Sequence, residues 1–314
     1  MVTKNFTGQS QTSSEDVLFC SAEVTSGLHS QLILFSVFHV VFAITAIVGN
    51  TLILIALRKK TSLHPPSKVL FRSLAASDLC VGIIVQPCQV IYGLAVVHER
   101  WQICYIVHLL TYGIGSVLCG VSLGTLSAIS VDRLLALLLG LRYKEIVTIK
   151  RVYVAGIAFW ISSIIIVLTP IWSLAAWEIL VITTSSLFLV TSIYCYTKIF
   201  LRLRRHQSQV RDDAQEQANR ATQVDITRYR KVLWSAVWVQ LALGLCYLPY
   251  ILLSTFAYRE LRRRKSPEFY LAVESTVALI YFNSSLNPIL YCWKMKEVRQ
   301  SVRNTLRKFV CSSN

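Results

Sequence analysis

Seven long apolar windows, almost free of charged residues, constrain the fold of this 314-residue sequence more than any other feature. A helix needs roughly 20 apolar residues to cross the hydrocarbon core of a membrane. The windows are residues 31–57, 73–98, 101–131, 152–177, 179–197, 232–258 and 269–293, with Asp78 interrupting the second and Glu274 the seventh. With 54% hydrophobic and 15% charged residues, the chain is too apolar for a soluble domain. We therefore expect an all-α membrane protein, a seven-transmembrane helix bundle.

The positions of the basic residues predict how the bundle is oriented in the membrane. Of the 32 Lys and Arg residues, 25 lie beside the inner ends of the windows if the N-terminus is outside. Basic loops stay in the cytoplasm, so this orientation is favoured. Asn5, in Asn5-Phe6-Thr7, is then a glycosylation acceptor on the outer side. The net charge of +16 does not indicate nucleic-acid binding, because the charges flank spans, where the anionic inner leaflet attracts them.

The chain divides into three parts by composition. Residues 1–30 are polar and predict an extracellular tail, and residues 31–293 form the membrane domain. Residues 294–314 carry apolar side chains at steps of three and four with Lys and Arg between them, which predicts a short cytoplasmic amphipathic helix on the bilayer surface. Cys311 follows it as a palmitoylation candidate. The fourth and fifth windows are separated by Glu178 alone, so a very short turn is expected near residues 171–178.

Asp78 stands alone in the middle of the second window. A carboxylate at the centre of a membrane helix costs roughly 2.5–3.5 kcal/mol on insertion scales, so such a residue suggests a functional site. The alternative is a protonated or water-bridged structural residue. Other small polar side chains lie at comparable depth and predict a hydrated pocket for a small cation; they are Asn50, Ser122, Asn283, Ser284 and Asn287.

Short motifs on six of the windows together resemble one family. They are Gly49-Asn50, Leu74-Ala75-Ala76-Ser77-Asp78, Val131-Asp132-Arg133-Leu134, Trp160 with Pro170, Cys246-Tyr247-Leu248-Pro249, and Asn283-Ser284-Ser285-Leu286-Asn287-Pro288-Ile289-Leu290-Tyr291. In this order they resemble the rhodopsin-like (class A) G-protein-coupled receptors. The short second outer loop without Cys, and Phe188 where span five usually has Pro, resemble the melanocortin and cannabinoid receptors. Residues 296–303 are similar to the adenosine and melanocortin receptors.

The resemblance implies roles for the matching positions. Asp78, Ser122, Asn283, Ser284 and Asn287 look like the family's sodium pocket, with Asp78 as the sodium ligand. The residues expected to rearrange for a heterotrimeric G protein are Asp132, Arg133, Tyr196, Tyr247, Pro249, Pro288 and Tyr291. The resemblance also implies an extracellular ligand and a multi-pass plasma-membrane location.

Several positions depart from the family pattern, and these departures lead to further expectations. Tyr247 replaces the usual Trp in span six, and Tyr229 stands where an acid often pairs with Arg133, so we expect raised basal activity. The second outer loop has no cysteine, and Cys104 lies one helical turn further out than the family's cysteine in span three. The outer-side thiols near Cys104 are Cys20 and Cys88, and a Cys20–Cys104 disulfide is one pairing open to them in the oxidising exterior.

The ligand is not defined by the sequence, but two classes are disfavoured. Gly115 stands where amine receptors place an Asp, and Tyr281 where opsins carry the retinal-binding Lys. A small non-amine molecule or a peptide is expected, in a pocket walled by Gln86, Gln89, His108, Tyr112, Gly115, Ser116, Tyr247 and Tyr281. Ordinary helix packing is the alternative for each of these residues. The basic run at residues 259–265 has two interpretations, a solvated outer loop or a surface that steers an anionic ligand or peptide.

A transporter and an enzyme are the two alternatives to a receptor. A seven-helix ion or solute transporter would use Asp78 as its ion site, but neither inverted repeats nor paired broken helices are found. An enzyme is not expected, because no nucleophile–base or metal-ligand spacing occurs. No cofactor other than an allosteric sodium ion is expected.

Overall fold

The computed structural model describes residues 20–58, 64–214, 242–257, 266–294, 299–300 and 303. Asn5, Tyr229 and Cys311 lie outside these residues, as does most of the predicted helix after residue 294. The side chain of Tyr291 is also outside the described part of the chain.

Seven helices, one for each predicted span, form the described structure. They are α1 His29–Arg58, α2 Pro65–Val97, α3 Trp101–Leu139, α4 Ile149–Leu168, α5 Leu174–Ala214, α6 Ala242–Thr255 and α7 Pro267–Lys294. One-turn helices at Ala22–Thr25 and Tyr143–Ile146 precede α1 and follow α3. The all-α expectation is confirmed.

Local sequence explains where several of the helices begin and end. Proline occupies the first turn of α2, where no amide donor is needed. Thr148 caps α4 by accepting from the Arg151 amide, and Ser266 accepts from the Phe269 amide at the start of α7. Gly140, at φ 52°, ends α3 in a backbone conformation that side chains disfavour.

The connection between α4 and α5 is short and lies before Glu178. After Leu168 the chain forms a 3₁₀ turn, Thr169–Ile171, and α5 starts at Leu174. Pro170 lies in this turn and lacks an amide hydrogen, which prevents α4 from continuing. Glu178 therefore does not separate the two helices but lies in the second turn of α5. With Phe188 in place of the family's Pro, α5 runs unbroken for 41 residues.

Length and composition make five of the helices, α1 to α5, able to cross a membrane. Large apolar side chains such as Ile157, Ile161 and Leu187 are exposed on their surfaces, as expected for contact with lipid. The described part of α6 is apolar but shorter, and α7 has 28 residues, several of them polar and buried. These two helices complete the bundle with polar side chains directed inward.

The bundle is organised around α3, which packs against α2, α4 and α5, while α1 packs against α2 and α7. A Cβ added at Gly49 of α1 would lie 2.7 Å from Cβ of Pro288 in α7, so these helices approach closely at the proline. A π-helical turn, Val81–Val85, interrupts α2 just outward of Asp78. Such a turn shifts the helical register, and here it helps to turn Gln86 and Gln89 inward, where both are buried.

Candidate functional site

The Asp78 cluster lies at the middle of the bundle and joins α2, α3 and α7. Asp78 is 0% exposed. Its Oδ1 accepts hydrogen bonds from Ser122 Oγ at 3.1 Å and Ser284 Oγ at 2.9 Å, and its Oδ2 accepts from Asn287 Nδ2 at 2.7 Å. The structure thus brings together four of the five residues assigned to the sodium pocket, around one carboxylate.

Asn283 and Asn50 flank this cluster. Asn283 is buried and within hydrogen-bonding reach of Tyr247, and its Nδ2 has no hydrogen-bond partner among the described residues. Asn50 donates from Nδ2 to the carbonyls of Ala46 and Ser284, which ties α1 to α7 beside the carboxylate. A buried polar nitrogen without a partner is uncommon in folded proteins, and here it lies next to a buried acid.

A cavity of about 360 Å³ lies outward of the cluster and is walled by residues from α2 to α7. Seven of the eight residues expected in the ligand pocket line it; they are Gln89, His108, Tyr112, Gly115, Ser116, Tyr247 and Tyr281. Tyr247 belongs to both sites, because it walls the cavity and contacts Asn283.

Gln86, the eighth residue, does not line the cavity. Its Oε1 lies 2.6 Å from Nδ1 of His39 in α1, and its Nε2 donates to the Tyr281 carbonyl at 3.4 Å. Both His39 and Gln86 are buried between α1, α2 and α7. Gln86 was therefore wrongly expected on the pocket wall, because its hydrogen-bonding groups satisfy a buried histidine instead.

The inner end of α3 carries Asp132 and Arg133. Asp132 accepts hydrogen bonds from Ser67 Oγ at 2.8 Å and from the Tyr143 hydroxyl at 2.6 Å. The Arg133–Asp132 ion pair is longer, at 3.8 Å, and the guanidinium lies 5.4 Å from the centre of the Phe71 ring. Arg133 is therefore loosely held by its neighbouring acid.

Tyr143, in the loop after α3, lies outside the membrane spans. Burial and the hydrogen bond to Asp132 raise the pKa of its phenol. The phenol therefore stays protonated and remains a hydrogen-bond donor at physiological pH. Nearby, Tyr196 packs with Leu134 and Cys195, and it lies within hydrogen-bonding reach of Ser130.

A disulfide joins Cys20 to Cys104 at the outer end of α3, with the two Cα atoms 5.9 Å apart. Cys88 is a free thiol. The bridge holds the residues before α1 against an apolar cluster that includes Val24, Tyr92 and Phe269. The N-terminal segment from residue 20 is thus part of the end of the bundle at which α1 begins.

Comparisons with known proteins agree with this geometry. The family model described as "7 transmembrane receptor (rhodopsin family)" matches residues 49–178 and 172–291, most of the chain. This chain belongs to the rhodopsin family of seven-transmembrane receptors. As a member it is a G-protein-coupled signalling receptor and a multi-pass membrane protein, which decides against the transporter alternative.

Several curated relatives are similar along most of their length. The sheep adenosine receptor A3 is 25% identical over 287 residues, which cover 83% of this chain and 86% of the relative. The rat histamine H2 receptor is 27% identical over 285 residues, covering 85% of this chain and 78% of the relative. A crystal structure of squid rhodopsin matches 90% of this chain and 87% of its own with a TM-score of 0.71 at 15% identity, which shows the fold alone.

A side chain of α7 fills the centre of the receptor's cavity. A side chain at Gly115 would collide with the hydroxyl of Tyr281, because that hydroxyl occupies the space of the missing Cβ. The position that carries an Asp in amine receptors is therefore filled by a phenol from α7. Tyr281 thereby packs directly on α3.

Sequence reasoning missed three functional candidates on the cavity wall. Glu178 and Trp177 from α5 and Glu274 from α7 all line the cavity of the receptor. Both acids were noted only as interruptions of apolar windows. The signal was available for Glu274, because an ionisable residue inside a span suggests a functional site in the same way as Asp78.

Proposed function

We propose that this receptor binds a small molecule in the cavity between α2 and α7 and transmits its presence through Tyr247 to a G protein at the inner face. The observation that carries the proposal is the position of Tyr247, which walls the cavity and also contacts Asn283 beside the Asp78 cluster. The cavity volume of about 360 Å³ suits a small ligand. The relatives named as adenosine and histamine receptors take small molecules and support this size class.

Movement of α6 is the proposed response to the ligand. Pro249 follows Tyr247 by two residues and has no amide hydrogen, so the helix has a weak point just beyond the side chain that the ligand touches. Pro288 gives α7 a similar point beside Gly49. A ligand that prefers one arrangement of α6 shifts the population of the whole bundle.

The Asp78 cluster fits a sodium ion in the inactive arrangement. Its donors are a carboxylate, two hydroxyls and two side-chain amides, which are hard oxygen ligands of low total charge. Asp78, Ser122, Ser284, Asn283 and Asn287 would hold the ion, which would supply a positive charge beside the buried carboxylate. Among the described residues no group of three His, Cys, Asp or Glu side chains suggests a multivalent metal instead.

The inner face supports coupling with raised basal activity. Arg133 lies 3.8 Å from Asp132, a long distance for a charge-assisted hydrogen bond, and Asp132 is held by Ser67 and Tyr143. A loosely paired Arg133 is available to a G protein without ligand. We further propose that the N-terminus is extracellular and that the receptor resides in the plasma membrane.

The test is recruitment of a panel of G-protein α subunits in cells without ligand, at equal surface expression. We expect at least one subunit to be recruited, and Arg133→Ala to abolish recruitment. Arg142→Ala is the control, because Arg142 is an exposed basic residue on the same face, just after α3. No recruitment by the intact receptor would refute the basal activity, and equal loss in both variants would refute a specific role for Arg133. An N-terminal epitope that antibodies reach on intact cells supports the orientation.

A further inference from the structure

The ligand cavity is acidic. Two carboxylates line it, Glu274 from α7 and Glu178 from α5, and none of its described lining residues is Lys or Arg. Glu274 is only 7% exposed. Two ionised carboxyl groups facing one enclosed space would attract a positive charge more strongly than they would in water, because the effective dielectric is lower there.

Glu274 is held in place by a hydrogen bond and has no cationic side chain beside it among the described residues. It lies within hydrogen-bonding reach of Tyr92 in α2, whose hydroxyl is 2.9 Å from that of Tyr270. In the part of the chain that the structure describes, the salt bridge is Arg133–Asp132, so Glu274 has no cationic partner there. Burial without a counter-ion disfavours the ionised form of a carboxyl group, and a cationic ligand beside it would favour that form again.

A second group on the wall also lacks a partner. Trp177 is 7% exposed, and its Nε1 has no hydrogen-bond acceptor among the described residues. The centre of the Trp177 ring lies 5.1 Å from that of the Tyr112 ring. From Tyr112 a row of aromatic rings continues through His108 to Tyr92, which lies beside Glu274. The buried indole N–H is thus a donor left without a partner, and the aromatic row gives a cation a favourable surface.

The usual place for an amine's counter-ion is blocked in this receptor. The Tyr281 hydroxyl fills the space at Gly115, so an acid on α3 has no room there. The expectation of a non-amine ligand followed from the missing Asp on α3. The two acids on α5 and α7 remove the reason for that expectation.

We propose that the ligand is a small base whose protonated nitrogen pairs with Glu274 and whose apolar part packs against the ring of Trp177. The nitrogen belongs to an amine or an amidine, and Glu178 adds to the negative field from α5. This inference rests on the proposed function, because it names the ligand class of the same cavity. The basic residues 259–265 lie outside the described structure, and an anionic ligand attracted by them is the opposing outcome.

The first test measures the sign of the field without any ligand. A Ser116→Cys reporter on the cavity wall, in a Cys119→Ser background, is labelled in purified receptor by a cationic trimethylammonium-ethyl or an anionic sulfonatoethyl methanethiosulfonate. We expect Glu274→Gln to lower the ratio of cationic to anionic labelling rates by about tenfold, since removing one charge at an effective dielectric near 20 has roughly this effect. Glu268→Gln is the matched control, because Glu268 is exposed at the start of the same helix.

An unchanged ratio in Glu274→Gln and in Glu178→Gln would overturn the proposal. Gln keeps the size of Glu and its ability to accept from Tyr92, so the variant is expected to fold. Glu274→Asp, which keeps the charge, provides a second variant and should retain the high ratio.

The second test identifies the ligand class directly. Matched sets of one aromatic skeleton bearing an amine, a neutral amide or a carboxylate are added to purified receptor at millimolar concentration, and the thermal unfolding temperature is measured. We expect the amines to stabilise most, with the effect lost in Glu274→Gln and reduced in Trp177→Phe. Greater stabilisation by the amides or carboxylates, stabilisation by none of the amines, or amine effects that persist in Glu274→Gln would each overturn the proposal. Neither test uses a G protein, so failure of coupling is distinguished from failure of this inference.

Discussion

Tyr143 donates a hydrogen bond of 2.6 Å to Asp132, so a side chain of the second inner loop holds the acid that lies next to Arg133. Ser67 binds the same carboxylate from α2. The acid is therefore shared between three elements, and the arginine receives only a long contact of 3.8 Å. The strength of the Arg133–Asp132 pair should depend on a residue outside the membrane.

Replacing Tyr143 with Phe should lower basal G-protein recruitment. Without the phenol, the Asp132 carboxylate is free to close on Arg133 and hold it in the inactive arrangement. A hydrogen bond to a charged group contributes about 1.5–3 kcal/mol, and a part of this energy is enough to reduce recruitment about three- to tenfold. Tyr153→Phe, an exposed tyrosine on α4, is the control and should have no effect. Unchanged or increased recruitment by Tyr143→Phe would contradict the prediction.

A methyl group at Gly49 should destabilise the receptor. The added Cβ would lie 2.7 Å from Cβ of Pro288, so α1 and α7 would have to separate, at a cost of about 1–3 kcal/mol. Gly113→Ala on α3 meets no atom within 4 Å and should be neutral or slightly stabilising. Thermal unfolding of the purified variants in detergent measures the difference. Equal unfolding temperatures for the two variants would show that the contact does not limit packing.

Sodium should stabilise the receptor through Asp78. If sodium is present at about ten times its dissociation constant, the folded state gains about 1.4 kcal/mol relative to potassium. Asp78→Asn and Ser284→Ala should remove this difference in unfolding temperature. Ser285→Ala is the matched control, because that hydroxyl donates to the Phe42 carbonyl and does not contact the carboxylate. A sodium effect that survives in Asp78→Asn would place the ion elsewhere.

Loss of either cysteine of the outer bridge should reduce stability equally. Cys20→Ser and Cys104→Ser each open a link between residues 84 apart in sequence, for which about 2–4 kcal/mol is typical. Cys88→Ser should have little effect, since Cys88 is a free thiol. Surface expression and unfolding temperature, with and without reductant, measure the effect. Reduced stability in Cys88→Ser and Cys104→Ser, with Cys20→Ser unchanged, would indicate a Cys88–Cys104 pairing instead.

Most of the spans and of the Asp78 cluster could be predicted from the sequence, because the bilayer imposes the sequence features that reveal them. A span needs a minimum apolar length, and an acidic residue in the middle of a span is energetically costly and therefore indicates a functional site. The partners of Gln86 were not predictable in this way, because they depend on how α1 is rotated against α2 and on the π-helical turn before Gln86. Apolar windows end at charged residues, whereas α4 ends at the Pro170 turn, so Glu178 was misread as a boundary.

The importance of Glu274 also depends on geometry. From the sequence alone, an acid in the outer part of a span is as compatible with a headgroup contact as with a ligand. The structure places it on the cavity wall with Trp177, which lies almost a hundred residues earlier in the chain. Six helices contribute to the cavity wall, so the position of a residue along its own helix does not show whether the residue reaches the cavity.

The unbroken α5 has a mechanical consequence. At 1.5 Å per residue its 41 residues extend for about 60 Å, roughly twice the thickness of the hydrocarbon core, and no proline interrupts it. Trp177 and Glu178 lie near its outer end, at the cavity. A ligand that tilts this end by a few degrees therefore swings the cytoplasmic end through several ångströms. If α5 moves as one rigid body about a point near the cavity, a small displacement there becomes a larger one at the opposite end of the helix.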